Sequence, residues 1–238
     1  MRELPILFSA PMVRAILEGR KTVTRRIVKP QPPAGHSWAG WCVASTCRKE
    51  EGDAVWSGGD QSIRLTAPHR ARCPYGQPGD RLWVREAWQP DPPADDEAWD
   101  DHTDSYVTWS GCGSRIDGVP SALRTPEHCI YREGWDGFAL KWRPGIHMPR
   151  WASRITLEVT GVRVERLQDI SDDQALAEGI DNDMCRASIG NAPLKGGYLP
   201  TCAFSYLWEQ INGAGSWDAN PWVWVVEFKH IEQERAAA

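Results

Sequence analysis

Apolar positions along the chain change their period several times, and each change marks an element. Met12, Val13, Ile16 and Leu17 recur at i, i+1, i+4 and i+5, which predicts a short amphipathic helix capped by Ser9 and stopped at Gly19. TVTRRIV then alternates with β-branched residues, predicting a strand over 22–28. Residues 29–79 lose any period, with PQPPAG opening them and CPYGQPG near their end, so irregular chain is expected. DRLWVREAW, 80–88, reads as a strand entered through a Gly79-Asp80 turn. From 89 to 128 Pro, Asp and Gly dominate, and SYVTW (105–109) is the strand-like run there. The thin apolar content of that stretch makes it an insertion on a smaller core rather than a second domain.

RITLEVTGVRVERL, 154–167, is a long strand with a fault in it. Ile155, Leu157 and Val159 occupy odd positions, whereas Val162 and Val164 occupy even ones. The one-residue slip falls at Gly161 and predicts a β-bulge, which bends a strand in the way a small closed barrel requires. In SDDQALAEG, 171–179, Ser171 and Gln174 fit a capping box and Gly179 fits a helix stop. Phe204, Leu207, Trp208 and Ile211 predict a further helix near 203–211, ended by Asn212-Gly213. WVWVVEFKHI, 222–231, is a closing strand, and EQERAAA after it is expected to be loose. This order of elements predicts an α+β fold with a mostly antiparallel sheet or barrel.

Composition narrows the functions. The chain has 238 residues, 41% hydrophobic and 25% charged, an ordinary globular balance that excludes wholesale disorder. Lys and Arg number 27 against 32 Asp and Glu, a net charge of -5 that argues against coating duplex DNA or an anionic membrane. No apolar run approaches the roughly 20 residues of a membrane span. The N-terminal apolar run is broken by Pro11 and Arg14 and reads as folded chain, not a signal peptide. Seven cysteines without a C-x-x-C pair suggest a reduced, cytoplasmic protein. Tryptophan is the outlier, with 14 copies beside 4 Phe and 5 Tyr, which suits ring stacking as well as core filling.

Three groups of residues carry candidate chemistry. GRKTVTRR, 19–26, sets Lys21 just past a helix end and Thr24 on a strand, amid Arg20, Arg25 and Arg26. It reads either as a solvated basic edge that discourages strand pairing or as a lysine with a lowered pKa beside a threonine hydroxyl, a nucleophilic pair. Glu178 falls in the last turn of a short helix, where the macrodipole disfavours an anion by about 0.3–1 kcal/mol. Such a charge is either solvated or held by a cationic partner. Trp83, Arg85 and Glu86 in LWVREAW are either core indole and surface charges or a stacking, hydrogen-bonding wall for a nucleobase. His69 with Cys73, and His128 with Cys129, lack a second pair that would complete a zinc pattern, so neither metal nor cofactor is expected. G-x-S-x-G, P-loop and G-x-G-x-x-G motifs are absent.

ILEGRKTVTRR, GDRLWVREAW, the long strand leading to LQDIS and ALAEGI, and WVWVVEF together resemble the ASCH domain. The likeness covers residues 4–28, 76–88 and 147–231, and CPYGQPGD with the tryptophan-rich end is similar to the larger phage-type members. The resemblance implies one PUA-like domain over 1–238, a small β-barrel with flanking helices and long insertions at about 29–75 and 89–146. A small bacterial enzyme of that superfamily hydrolyses N4-acetylcytidine with a lysine, a threonine and a glutamate. Matched motif by motif, these fall on Lys21, Thr24 and Glu178, with Arg26 as the motif arginine. The implied activity is removal of the acyl group from N4-acylated cytidine or cytosine, with Arg26, Trp83, Arg85 and Glu86 contacting a nucleoside or nucleobase. Thr24 is then the nucleophile, or Lys21 and Glu178 activate water directly. The alternatives are a PUA-like module that binds RNA or a modified base without catalysis, which the acidic net charge disfavours, and a ribonuclease.

Overall fold

The parity slip in the longest strand is where the pairing register of the main sheet shifts. The protein is described here by a computed structural model covering residues 1–44, 47–58, 68–90, 119, 121, 124–137, 141–181, 183–184 and 199–231. In chain order it forms β1 (Glu3–Leu7), α1 (Ala10–Leu17), β2 (Val23–Ile27), β3 (His36–Trp41), β4 (Ala54–Gly58) and β5 (His69–Ala71). Then come β6 (Arg81–Arg85), β7 (Trp88–Pro90), β8 (Cys129–Tyr131), β9 (Thr156–Arg166), α2 (Asp172–Ala177), α3 (Pro200–Asn212) and β10 (Trp222–Ile231). The predicted strand at 105–109 and the tail after Ile231 lie outside the described residues.

Five strands form the main sheet in the order β1-β6-β9-β10-β2. The β1–β6 pair is parallel and the other three pairs are antiparallel. Along β9 and β10, Glu227 pairs with Gly161 but Phe228 pairs with Val159, so Thr160 is the extra residue of a bulge. That slip restores a common face: Leu157, Val159, Val162 and Val164 all meet the same core despite their change of parity.

Both faces of the sheet are covered, which is why β10 is apolar at consecutive positions. Trp224, Val226 and Phe228 turn to a core with Met12, Val13 and Ile16 of α1 and with Ala54 and Trp56 of β4. Val223 and Val225 turn the other way, onto Phe204 and Trp208 of α3 and Ala175 of α2. The capping box predicted at Ser171 and Gln174 forms, and Gly179 ends that helix at a positive φ of 92°. No helix among the described residues is long and apolar enough to cross a membrane.

Two expectations need correction. Residues 29–79 are not irregular throughout: β3, β4 and β5 form a three-stranded antiparallel sheet there. Its strands are short and rich in Gly and Ser, so periodicity is faint, and Trp38 and Trp56 supply the packing. The main sheet also does not close into a barrel among the described residues, since β1 and β2 are its two edges. Between those edges the contact is made by a side chain, with Arg26 Nη2 donating to the Leu7 carbonyl at 2.6 Å.

Candidate active site

The seam between β1 and β2 contains a cavity of about 750 Å³. Leu7 and Phe8 border it from the end of β1, and Thr24, Arg25, Arg26 and Ile27 from β2. Lys21 and Glu178 reach it from the turns that follow α1 and α2. Four residues singled out in the sequence, Lys21, Thr24, Arg26 and Glu178, therefore share one cavity wall.

Local backbone geometry brings Lys21 and Glu178 together across 157 residues of sequence. The main-chain N–H groups of Arg20 and Lys21 both donate to the Ala15 carbonyl at 2.9 Å, which wraps the chain back against the end of α1. Thr22 N–H donates to the Ala177 carbonyl at 2.9 Å and ties that turn to the end of α2. Gly179 completes the joint. A Cβ on it would lie 2.8 Å from Ala15 Cβ and 3.2 Å from Lys21 Cβ, so only a glycine allows this approach.

Lys21 Nζ donates to Val23 O at 2.9 Å, Glu178 O at 2.6 Å and Glu178 Oε2 at 2.7 Å. All three ammonium donors are thus engaged, and the side chain is only 2% exposed. Burial nevertheless pulls its pKa below the ordinary lysine range; Glu178 opposes that shift, and Arg26 and Arg25 add to it. Glu178 Oε1 faces Arg25 Nη1 at 3.5 Å, and Arg25 Nη2 donates to Glu165 at 3.0 Å and to Gln174 at 2.7 Å. The anion at the end of α2 is therefore held by two buried cations rather than solvated.

β2 is an edge strand, as its basic sequence suggests, but Lys21, Thr24 and Arg25 are buried rather than solvated. Thr22 O accepts from Phe228 N–H and Val28 N–H donates to Trp222 O, so the even-numbered residues of β2 pair with β10. The main chain of Arg25 and Ile27 consequently faces the seam. Arg26 keeps a buried Nε–H without a hydrogen-bond partner among the described residues, and its guanidinium lies 5.2 Å from the Phe8 ring and 6.0 Å from the Tyr75 ring.

Trp83, Arg85 and Glu86 do not line the cavity. Arg85 stacks on the Trp83 ring at 4.7 Å, and Glu86 is buried in a two-bond pair with Arg154, at 2.9 and 3.0 Å. Burial raises the Glu86 pKa, against Arg154 and with Glu133. Arg20 also lies elsewhere, bonded to Glu18 and to the Gly179 carbonyl. Among the described residues the aromatic residues on the cavity wall are instead Phe8, Tyr75, Phe204, Trp208 and Trp224. Tyr75 sits in CPYGQPG, whose Pro and Gly mark a turn and hide the one ring that the turn presents. Among the described residues no three His, Cys, Asp or Glu side chains are grouped so as to hold a metal ion. Comparison with protein-family models, curated proteins and solved structures finds no match to this chain.

Proposed function

We propose that the protein is an amidohydrolase that removes the acyl group from N4-acylated cytidine or cytosine, releasing the free base or nucleoside and a carboxylic acid. The observation that carries this reading is the buried Lys21–Glu178 pair at 2.7 Å in a cavity that Thr24 also lines. A lysine whose pKa is lowered by burial suits a base far better than an ordinary one. The fold that goes with it is a PUA-like barrel left open between β1 and β2, with the site in the opening.

In the reaction Lys21 first passes one proton to Glu178 Oε2, its partner at 2.7 Å, and becomes a neutral amine. That amine takes the hydroxyl proton of Thr24, whose Oγ1 attacks the acyl carbon. Arg26, on the cavity wall, supplies the positive charge available to the oxyanion. Collapse of the tetrahedral intermediate breaks the bond from carbon to N4, and the Lys21 ammonium returns its proton to the leaving nitrogen. Water, deprotonated by Lys21, then attacks the threonine ester; collapse releases the acid as Lys21 returns that proton to Thr24 Oγ1, and Glu178 gives its own proton back to Lys21. Tyr75 and Phe8 supply flat apolar faces for the base.

The test is incubation of the purified protein with N4-acetylcytidine and N4-benzoylcytidine while cytidine release is followed, with Lys21→Ala as control. The variant is expected to lose about 100-fold or more. Failure of the folded wild type to release cytidine from either compound would overturn the hydrolase and favour a base-binding module.

A further inference from the structure

The rim of the cavity carries charge that hydrolysis of an uncharged nucleoside leaves unused. Six cations, Lys21, Arg25, Arg26, Lys29, Arg72 and Arg132, line it among the described residues, against the single carboxylate of Glu178. This excess stands out in a chain of net charge -5. The buried members are matched: Lys21 and Arg25 both face Glu178, and Arg25 also pairs with Glu165. Arg26 engages the Leu7 carbonyl and belongs to the acyl end of the site.

The outer three differ. Lys29, Arg72 and Arg132 are all exposed. Among the described residues neither Lys29 nor Arg132 has a side-chain hydrogen bond or an ion pair. Arg72 is fixed through Nε on Asp53 at 2.7 Å and through Nη2 on the carbonyls of Lys49 and Glu51, which leaves Nη1 without an acceptor among the described residues. One arginine is thus braced by its neighbours while two further cations stand unmatched on the same cavity.

We infer that the cavity receives its acylated base as a nucleotide, with a phosphate monoester held at the rim by Lys29, Arg72 and Arg132. The inference rests on the amidohydrolase reading and adds the charge of its substrate. A monoester carries nearly two negative charges at neutral pH and three strong acceptor oxygens, which suits three exposed cations lining one cavity. A polynucleotide fits less well, because its diesters carry one charge each and the acidic remainder of the molecule repels a long polyanion.

Binding of CMP and cytidine to the full chain is measured by titration calorimetry at about 50 mM and about 0.5 M NaCl. CMP is expected to bind about tenfold more tightly or better at low salt, with the gap shrinking at high salt. In a Lys29→Ala/Arg132→Ala variant, whose two exposed substitutions spare the core, the gap is expected to close to about twofold. The ratio of kcat/KM for N4-acetyl-CMP over N4-acetylcytidine is expected to follow the same order. Equal affinities for CMP and cytidine, no measurable CMP binding, or a preference that survives the double variant would each overturn the inference. Tighter binding of an oligocytidylate without a terminal phosphate would overturn it in favour of a polynucleotide. A CMP preference without hydrolysis of either acylated compound sinks the amidohydrolase and leaves the phosphate site standing, whereas nucleoside hydrolysis without a CMP preference does the reverse.

Discussion

Glu178 holds Lys21 twice, through its carboxylate at 2.7 Å and its own main-chain carbonyl at 2.6 Å. The carboxylate can take a proton and the carbonyl cannot. Proton transfer within the pair therefore changes the charge of Lys21 without releasing its nitrogen, because the carbonyl anchor persists. A base that must return its proton to a leaving group needs this kind of fixed position.

The first prediction concerns Thr24. If its oxygen forms the ester, Thr24→Ala loses essentially all multiple turnover, and Thr24→Ser retains part of it. Rapid acid quench of wild type with N4-benzoylcytidine should give a protein heavier by one benzoyl group, located on Thr24 by peptide mass spectrometry. Entry of oxygen-18 into the acid during a single turnover, with no adduct at any time, would instead assign the attack to water.

Lys21 sets the second, through pH. Its folded pKa lies below the ordinary value of 10.5, chiefly through burial. Between the lowered value and 10.5 the unfolded chain therefore binds more protons than the folded one, and stability rises with pH across that window. Below it the folded protein carries the full cost of a charged Lys21. The measurement compares urea midpoints of wild type and a Lys21→Met/Glu178→Gln variant, and the wild type should gain on the variant as pH rises. The alkaline-going limb of kcat/KM should report the same ionisation.

Gly179 offers a structural prediction. Gly179→Ala places a methyl 2.8 Å from Ala15 Cβ at a φ of +92°. The expected loss is about 1–3 kcal/mol in urea unfolding. Hydrolysis should fall as well, because relief of the clash moves α1 and Lys21 away from Glu178.

A fourth prediction addresses the tryptophan excess. Trp56 is fully buried, meets Trp38 at 5.4 Å and Trp224 at 6.2 Å between ring centroids, and has no hydrogen-bond partner for its indole N–H among the described residues. Trp56→Ala should cost about 3–5 kcal/mol. Trp56→Phe should cost much less, since it also removes an unsatisfied buried donor. Thermal melts of the two variants check the order.

Local signals in the sequence proved legible where one residue type has one geometric use. The parity change around Gly161 located the bulge, and Ser171 with Gln174 located a helix start, because each pattern is satisfied within a few residues. Lys21, Thr24 and Glu178 were legible as residues, and their shared cavity only through the fold. What stayed hidden depends on distant partners. Trp83 and Arg85 stack on one another instead of lining the cavity, and Glu86 is matched by Arg154, 68 residues away. Nothing near position 36 announces that β3–β5 will lay Trp38 and Trp56 against β10. Lys29 and Arg132 carry no local signal in the sequence, and only the fold puts them on one cavity.

The placement of β2 beside β10 has a consequence for how the protein matures. Thr24 lies on β2, but its hydrogen-bonded neighbour is Val226 on β10, with β3–β9 between them in sequence. The segment bearing Thr24 therefore depends on a long-range pairing of the kind that forms late in folding. A species in which β2 has not yet docked on β10 lacks the cavity wall that Thr24 and Arg26 supply, so the proposed activity would return during refolding only with that late pairing and not with any early collapse.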